Sequence, residues 1–371
     1  MQLSKRIINR CQKLYCELKD FRTDRKIIVF ESDDWGSIRV PSIEIKRLLI
    51  EKGYDMDARP YERYDALETN EDIEALFNVL LKYKDSRGNH PIFTINMVMA
   101  NPFFDKIKEN NFNEYFFEHV RDTYNEYDNS DKVLNLLKRG VDLGIVMPQS
   151  HGREHVNVLA WMDALKRREE DVMCAFDFGM CGIFPRMQKE KGNQYQIAYK
   201  YKKNSDIEVI DKIVEEGLSI FENYWGFKSK TFIAPCYTWD ENIERKLCEG
   251  GVDLIQSSRS RRNTFDNKVE YIYSGQHNNF GQVYSIRNTR FEPSSSKNKE
   301  LELVSLLDDI DRIFKEKKIV VISTHRINYV SRLSVENRDT TLSVLNLFLK
   351  KVTEKYPDVE FMSSDMLLSI F

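Results

Sequence analysis

The sequence lacks the features that mark several broad classes of protein. Its 371 residues include only six cysteines, which are scattered without a Cys-x-x-Cys pair. In a chain of this length, that pattern excludes a disulfide-stapled scaffold and predicts reduced, mostly buried thiols. Basic and acidic residues nearly balance, at 56 and 59. The composition of the whole chain therefore predicts no nucleic-acid partner and gives no sign of an anionic membrane surface as one.

Long apolar runs are also absent. No stretch of the sequence approaches the roughly 20 apolar residues that a membrane-spanning helix needs. Near the N-terminus, apolar residues recur at helical spacing from Ile7 through Cys11 and Leu14 to Leu18, with Lys and Arg between them. This pattern predicts an amphipathic helix over residues 5–19 and not the continuous apolar core of a secretory signal. We therefore expect a cytoplasmic protein without a membrane span.

The sequence does contain an alternation of short apolar runs and helical patterns, which predicts parallel βα units closed into an α/β barrel. The candidate strands are 27–31, 91–98, 143–148, 231–235, 253–257, 281–287, 319–324 and 359–362. The candidate helices are 5–19, 42–52, 71–84, 130–139, 156–168, 206–224, 240–250, 300–316, 338–355 and 364–370.

We expect a single domain over residues 1–371, because the sequence has no repeat of fixed period and no low-complexity linker. Two aromatic-rich stretches, about 99–129 and 169–205, are predicted insertions. Their aromatic rings either pack locally or form a wall beside a binding site, where they would stack on sugar rings. The sequence leaves both interpretations open.

Two adjacent carboxylates, Asp33 and Asp34, follow the apolar run of the first candidate strand and precede Trp35. Carboxylates at the C-terminal end of a strand stand where α/β folds place their chemistry. One of the pair could bind a metal ion while the other acts as a base. The alternative is a turn that caps the helix after Pro41.

A histidine pair, His151 and His155, follows the candidate strand 143–148 in a chain with only six histidines. If a helix starts near Gly152, both imidazoles lie on the same side of its first turn and can clamp one divalent ion. Asp34 is the natural third ligand. The alternative is a pair of surface or packing histidines.

Further polar and aromatic residues lie at or near other strand ends. His325 ends the strand 319–324, where it either protonates a leaving group or is a structural histidine bonded to backbone. Tyr237 follows the strand 231–235, and we expect its backbone and ring to face the same mouth. Six other residues are predicted to bind substrate, since a set rich in aromatic and amide groups suits a polar sugar ring: Trp35, Trp239, Arg153, Arg326, Asn328 and His277. For His277 the alternative is an exposed histidine on a loop.

Four of these motifs, in this order, resemble those of the NodB-homology polysaccharide deacetylases, carbohydrate esterase family 4. They are Asp33-Asp34, His151-x-x-x-His155, Ala234-Pro235-Cys236-Tyr237 and Ser323-Thr324-His325. The resemblance spans about residues 27–362 and is that of a divergent member. It implies a distorted (β/α)7 barrel with helical insertions and a divalent metal, usually zinc, at its mouth.

The resemblance also implies a reaction. An N-acetyl or O-acetyl group on a sugar or polysaccharide precursor would be hydrolysed by water that the metal activates. The implied roles are general base for Asp33, metal ligation for Asp34, His151 and His155, oxyanion binding by the backbone amide of Tyr237, and general acid for His325.

Three departures from the family pattern leave other readings open. Gly152 stands where the family usually has Ser or Thr. The Arg that orients the base is missing near Ile233, and Arg153 or Arg326 could replace it. The Asp that tunes the late histidine has no counterpart. The alternatives are a catalytically impaired, metal-containing carbohydrate-binding barrel and a hydrolase of another non-peptide C–N bond.

Overall fold

The computed structural model of the protein describes residues 2–183 and 195–371, and a curled parallel sheet forms its centre. The strands in the described residues are β1 Lys26–Trp35, β2 Phe93–Met97, β3 Ala100–Pro102, β4 Phe117–His119, β5 Val146–Ser150, β6 Thr231–Ile233, β7 Leu254–Ser257, β8 Ser260–Arg262, β9 Val269–Tyr271, β10 Val283–Ile286, β11 Thr289–Arg290, β12 Val320–His325 and β13 Val359–Met362. The main sheet has the order β10-β7-β6-β5-β2-β1-β12-β11, and β13 pairs with the first half of β1.

Helices follow most of these strands and cover the outside of the sheet. Those in the described residues are α1 Gln2–Lys19, α2 Ile43–Glu51, α3 Pro60–Tyr64, α4 Asn70–Leu80, α5 Phe104–Glu109, α6 Val120–Glu126, α7 Val133–Asp142, α8 Val158–Lys166, α9 Glu170–Asp177, α10 Ile207–Trp225, α11 Glu241–Glu249, α12 Lys299–Lys315 and α13 Val335–Lys355. Short 3-10 turns lie at Asn204–Asp206, Pro235–Tyr237, Pro293–Ser295, Arg326–Asn328 and Asp365–Ser369.

The sheet closes on itself through two residues. The strands β10 and β11 lie at opposite ends of the strand order, yet only Arg287 and Asn288 separate them in the chain. The backbone N–H of Arg287 donates to Ser257 of β7 at 2.8 Å, and that of Asn288 donates to Val321 of β12 at 3.1 Å. These residues therefore join the two sheet edges at a seam, which confirms the predicted distorted α/β barrel.

Most of the predicted elements are confirmed, with boundaries shifted by a few residues. Each of the eight candidate strands overlaps one strand of the main sheet, and β11 at the seam is the ninth strand of that sheet. The helix predicted at 364–370 is instead a 3-10 turn. The short helices α3, α5, α6 and α9 and the antiparallel pairs β3–β4 and β8–β9 were not predicted, because elements of so few residues show little periodicity. The single-domain assignment stays a prediction.

The interior of the barrel is apolar at the start of the strands and polar towards their ends. Ile27 and Val29 of β1 belong to one buried apolar cluster with Val283 of β10, which lies five positions away in the strand order, so this cluster fills the interior. Alternate residues of a strand share a face. Glu31 and Asp33 therefore continue the interior face of β1 and carry buried charge into the barrel.

The aromatic residues of the two insertions that the structure describes are mainly packing residues. Phe112, Phe176 and Tyr199 are buried in one apolar cluster with Trp161 of α8. Of the two interpretations that the sequence leaves open, local packing therefore applies to these rings, which are engaged with one another. Phe184 belongs to the stretch 184–194 and lies outside the described residues.

The N-terminal helix α1 confirms and extends the helix predicted over residues 5–19. Its Cys16 side chain is buried, whereas Leu14 and Leu18 are exposed. Among the residues that the structure describes, no helix is long and apolar enough to cross a membrane.

The outward face of β1 makes a testable contribution to stability. Phe30 is fully buried, stacks on Phe93 at 4.7 Å between ring centroids and contacts Phe348 edge-on. We expect Phe30→Ala to lower the free energy of unfolding by about 3–5 kcal/mol, because it removes packed apolar surface and leaves a cavity. Urea denaturation followed by circular dichroism measures this loss. The exposed Phe265, changed to Ala, is the control, and an equal loss in both variants would contradict the packing role.

Candidate metal and acid–base site

A β-bulge at the end of β1 turns two consecutive aspartates to the same side of the sheet. Ser32 pairs with Ile95 of β2, but the next pair joins Trp35 to Met97, so β1 contains one extra residue here. Asp34 has a φ of 74°, in the left-handed region. Successive strand residues normally point to opposite faces, and a bulge re-aims one of them. This geometry gives Asp33 and Asp34 access to the same cavity.

Asp34 and the two histidines converge on one point. The Oδ1 atom of Asp34 lies 3.6 Å from Nε2 of His151 and 3.3 Å from Nε2 of His155, and the three potential ligand atoms lie within 4.8 Å of one another. The histidines lie on a loop and not on a helix, because α8 begins only at Val158. The predicted convergence of the three side chains is thus present, although the predicted helical spacing does not produce it.

The protonation and orientation of these side chains fit a divalent cation. The Nδ1 atom of His151 lies 2.8 Å from the carbonyl oxygen of Ile233, to which it donates, so the tautomer that binds a metal ion through Nε2 is the one that this contact favours. That Nε2 atom is buried and has no hydrogen-bond partner among the described residues. Burial is the main cause that lowers the pKa of His155 to about 3, which keeps its imidazole neutral. Burial acts to raise the pKa of Asp34, but His151, His155 and Arg39 outweigh it and hold the pKa well below its usual value.

Gly152 allows the loop to carry both histidines. Its φ is 102°, and a Cβ atom at this position would lie 2.5 Å from the hydroxyl of Tyr199. Tyr199 is fully buried and cannot move aside easily. A side chain would therefore be both strained in the backbone and blocked, so this departure from the family pattern matches the local packing.

The Asp33 carboxylate is held by Arg287 from the barrel seam. Two guanidinium nitrogens of Arg287 donate to the two oxygens of Asp33 at 2.6 and 2.7 Å, and its Nε donates to Glu31 at 2.7 Å. Asn96 adds a third bond to Asp33 at 2.8 Å. Burial acts to raise the pKa of Asp33, but Arg287 outweighs it, so the net pKa is lowered and the carboxylate is ionised at neutral pH.

His325 faces Asp33 from the end of β12. Its Nε2 lies 3.8 Å from Oδ2 of Asp33, and its Nδ1 lies 2.5 Å from the Glu292 carboxylate. Burial acts to lower the pKa of His325, but Glu292 and then Asp33 outweigh it and raise the pKa to about 10. The imidazole therefore carries a proton on Nε2 at neutral pH. Asn328 donates to the second oxygen of Glu292 at 2.7 Å and fixes it in place.

The turn after β6 departs from the predicted oxyanion site. Cys236 and Tyr237 both have positive φ values, of 56° and 52°. The backbone N–H of Tyr237 donates to the carbonyl of Ala234 at 3.0 Å, so this amide is already engaged. The Tyr237 hydroxyl accepts from Arg287 at 3.2 Å and lies beside the base.

One cavity of about 340 Å³ joins these groups. It is lined by both aspartates, the three histidines and Tyr237, and also by Arg39, Arg59, Tyr61, Glu62, Met180, Cys181, Gly182, Gln196 and Cys236. The Tyr61 ring contacts His325 edge-on at 5.8 Å between ring centroids. The guanidinium of Arg39 lies 3.7 Å from the Asp34 carboxylate, so a positively charged side chain lies beside the three potential metal ligands.

The six predicted substrate-binding residues are absent from the described lining of this cavity, which corrects that prediction. Trp35 and Trp239 are buried, and their indole nitrogens donate to Ser32 and Glu244. His277 lies on an exposed loop, where Nδ1 lies 3.0 Å from the carbonyl oxygen of Gly281.

The two arginines among the six predicted substrate-binding residues also have structural partners. Arg153 pairs with Glu154 and Glu216, whereas Arg326 is fully buried against Asp65 and Glu68. Neither arginine orients Asp33. Asn328 has an indirect part in the site, because it donates to Glu292, the partner of His325.

The supporting residues Arg287 and Glu292 were missed by the sequence reasoning. Arg287 ends the candidate strand 281–287, and a charged residue at a strand end was the available signal. Glu292 follows β11, a strand of two residues that shows no periodic pattern. These two residues occupy the contacts that the resemblance assigns to an orienting Arg and a tuning Asp.

Comparisons with known proteins find likeness in structure and not in sequence. No protein-family model and no curated protein matches the chain. A 4-alpha-glucanotransferase from Thermococcus litoralis is 11% identical with a TM-score of 0.45, and the match covers 94% of this chain and 40% of that one. The Puue allantoinase is 10% identical with a TM-score of 0.48, and the match covers 93% of this chain and 90% of that one.

A family 4 acetyl xylan esterase from Clostridium thermocellum, in complex with a cobalt ion, is also similar. It is 11% identical with a TM-score of 0.40, and the match covers 93% of this chain and 91% of that one. A family 4 esterase is thus among the solved structures that this chain resembles. Because these TM-scores lie below 0.5, we assign function from the chain's own residues.

Metal binding provides the first test of this site. We expect Gly152→Ala to lower the affinity for Zn²⁺ at least about tenfold, because the new methyl group meets the Tyr199 hydroxyl and displaces the histidine loop. Isothermal titration calorimetry measures the affinity, and His151→Ala gives the reference for a lost ligand.

The control is Gly144→Ala, since Gly144 also has a positive φ, of 66°, but no atom lies within 4 Å of its Cβ position. Tyr199→Phe should restore part of the affinity in Gly152→Ala, because it removes the blocking hydroxyl. Unchanged affinity in Gly152→Ala would contradict the proposed role of the loop.

Proposed function

We propose that the protein is a metal-dependent hydrolase that removes an acetyl group from the nitrogen, or the oxygen, of a sugar or polysaccharide precursor. One observation carries this proposal. An ionised carboxylate and a protonated imidazole, Asp33 and His325, lie 3.8 Å apart in the cavity that also contains the Asp34, His151 and His155 cluster. A base, an acid and a cation site in one cavity are the groups that hydrolysis of an amide or ester requires.

Asp34, His151 and His155 would hold the cation, with zinc as the expected metal because one oxygen and two nitrogen donors suit it. A divalent cation bound there supplies Lewis acidity, which polarises a carbonyl and acidifies water. Three protein ligands leave coordination positions for other groups.

Asp33 acts as the general base. Its two oxygens are fixed by Arg287 and Asn96, so it approaches an attacking water in one orientation. Its lowered pKa keeps it ionised, and it takes the water proton as the new C–O bond forms. Arg287 acts through Asp33 and is a positioning residue.

His325 acts as the general acid. The Glu292 carboxylate holds Nδ1, so the proton on Nε2 faces the cavity. As the tetrahedral intermediate collapses, this proton passes to the departing sugar nitrogen or oxygen. The backbone amide of Tyr237 already donates to the carbonyl of Ala234. It can bind an oxyanion, as predicted, only if the 235–238 turn shifts and breaks that bond.

The substrate class is inferred from the cavity. Its volume of about 340 Å³ lies at the small end of the roughly 300–1,000 Å³ that is usual for ligand sites. Arg39, Glu62 and Gln196 provide polar groups on its wall, which suits a hydroxyl-rich sugar. A cytoplasmic sugar precursor remains the expected substrate.

The competing proposal of an impaired carbohydrate-binding barrel is the weaker one. Its main support was the missing arginine beside the base, and Arg287 makes that contact at 2.6 and 2.7 Å. A binding protein has no need for a carboxylate and an imidazole that are each held by a buried partner. A hydrolase of another non-peptide C–N bond would use the same groups, so substrate tests must include it.

Acetate release from a panel of acetylated sugars tests the function. We expect turnover of at least one N-acetyl or O-acetyl sugar by the Zn²⁺-loaded protein. Asp33→Asn and His325→Ala should each lower kcat by about 10²–10⁴-fold, because each removes one proton-transfer group. Both variants should still bind zinc.

Cyclic amides and ureides in the same panel test hydrolysis of other C–N bonds. Absence of acetate from every sugar, together with intact sugar binding, would support the binding protein. Near-normal kcat in either variant would remove that residue from its role.

The pH profile tests the contact between Glu292 and His325. The raised pKa of about 10 keeps His325 protonated, and its acid function is lost as pH rises through that value. Because Glu292 is the main group that raises this pKa, Glu292→Gln should shift the alkaline fall of kcat to lower pH. The control is Glu62→Gln, which removes a cavity carboxylate that pairs with Arg59. An unchanged alkaline limb in Glu292→Gln would contradict the assignment.

A further inference from the structure

The N-terminal helix α1 leaves most of its apolar side uncovered by the described part of the protein. Cys11, Leu14, Tyr15 and Leu18 recur at the i, i+3, i+4 and i+7 spacing of a single helix face. Leu14, Tyr15 and Leu18 are 51%, 57% and 75% exposed. An amphipathic helix of a globular protein ordinarily buries this face.

The opposite side of the helix makes the contact with the barrel. Cys16 is 5% exposed and stands about 100° from Tyr15 around the helix axis, on the side away from Leu14. All residues from 9 to 15 are exposed, so α1 extends from the barrel over about two turns before it packs. Leu14 and Leu18 line an open groove of about 570 Å³ between α1 and residues such as Ile286 and Ile313, yet both side chains stay more than half exposed. Among the residues that the structure describes, the apolar stripe is therefore largely uncovered.

The charge of α1 differs in sign from that of the whole chain. The helix contains five basic residues and one acidic residue, which gives +4, whereas the chain as a whole has −3. Arg10, Lys13 and Lys19 are exposed on it. An apolar stripe flanked by Lys and Arg matches a surface with an apolar interior and an anionic boundary.

We propose that α1 docks the protein on the surface of an anionic lipid bilayer, with the stripe of Cys11, Leu14, Tyr15 and Leu18 among the lipid headgroups. The charge argues against a second copy of the chain as the cover, since two such helices would bring +4 against +4. The docking is peripheral and independent of the proposed hydrolase activity.

Co-sedimentation of the full chain with lipid vesicles tests the proposal. We expect binding to vesicles of phosphatidylcholine and phosphatidylglycerol at 3:1, weakening as salt rises, and little binding to phosphatidylcholine alone. The double variant Leu14→Ser with Leu18→Ser, and the single variant Arg10→Glu, should each lower the partition coefficient by about tenfold or more.

Matched controls come from α13. Leu347→Ser and Lys351→Glu change an exposed leucine and an exposed lysine there and should leave vesicle binding unchanged. Circular dichroism and thermal melts check that every variant folds. Equal binding by the α1 variants and the controls would overturn the proposal, as would equal binding to neutral vesicles. A dimer in sedimentation velocity that the leucine double variant dissociates, without vesicle binding by the native chain, would assign the stripe to self-association and also overturn it.

Discussion

Arg287 stands where the two edges of the sheet meet, and its guanidinium is shared by the carboxylates of Glu31 and Asp33. The three side chains are buried, so the ion pairs are little weakened by solvent. Because the backbone N–H of Arg287 also bonds to β7, the same residue helps to close the barrel and fixes the base. Loss of its charge would leave two carboxylates uncompensated in the interior, and such a change commonly costs about 3–5 kcal/mol.

The bulge in β1 depends on this arrangement and gives each aspartate a separate partner. Adjacent carboxylates that face one cavity repel each other, and both would resist ionisation in a buried site. Arg287 takes both oxygens of Asp33, whereas Asp34 faces His151 and His155. The left-handed backbone at Asp34 is thus a local strain at the point where the two roles divide.

The sequence allowed prediction of the strands and of the side chains at their ends, because apolar runs and strand termini are local features. Asp34, His151 and His155 converge as expected, yet the loop that carries the histidines depends on Gly152 and the buried Tyr199, which are far apart in the chain. Trp35 shows the opposite failure. It lies after the apolar run of the first candidate strand and is the last residue of β1, but it comes after the bulge, so its ring faces the packed exterior and not the cavity. Which side a terminal residue faces depends on register with neighbouring strands, and a single sequence does not contain that information.

The four motifs lack a residue that orients Asp33 and a residue that holds His325, and Arg287 and Glu292 make these contacts from elsewhere in the barrel. The geometry of the barrel explains why they can do so. The interior is narrow enough that Asn96 of β2 and Gln256 of β7 bond to each other at 2.7 Å, with two strands between them in the sheet order. A guanidinium can therefore reach Asp33 from β10 as well as from β6, where Ile233 and Ala234 stand. Proton transfer requires a fixed carboxylate and does not depend on which strand fixes it. A motif that lacks its arginine is consequently weak support for lost activity until the whole interior has been inspected for a replacement.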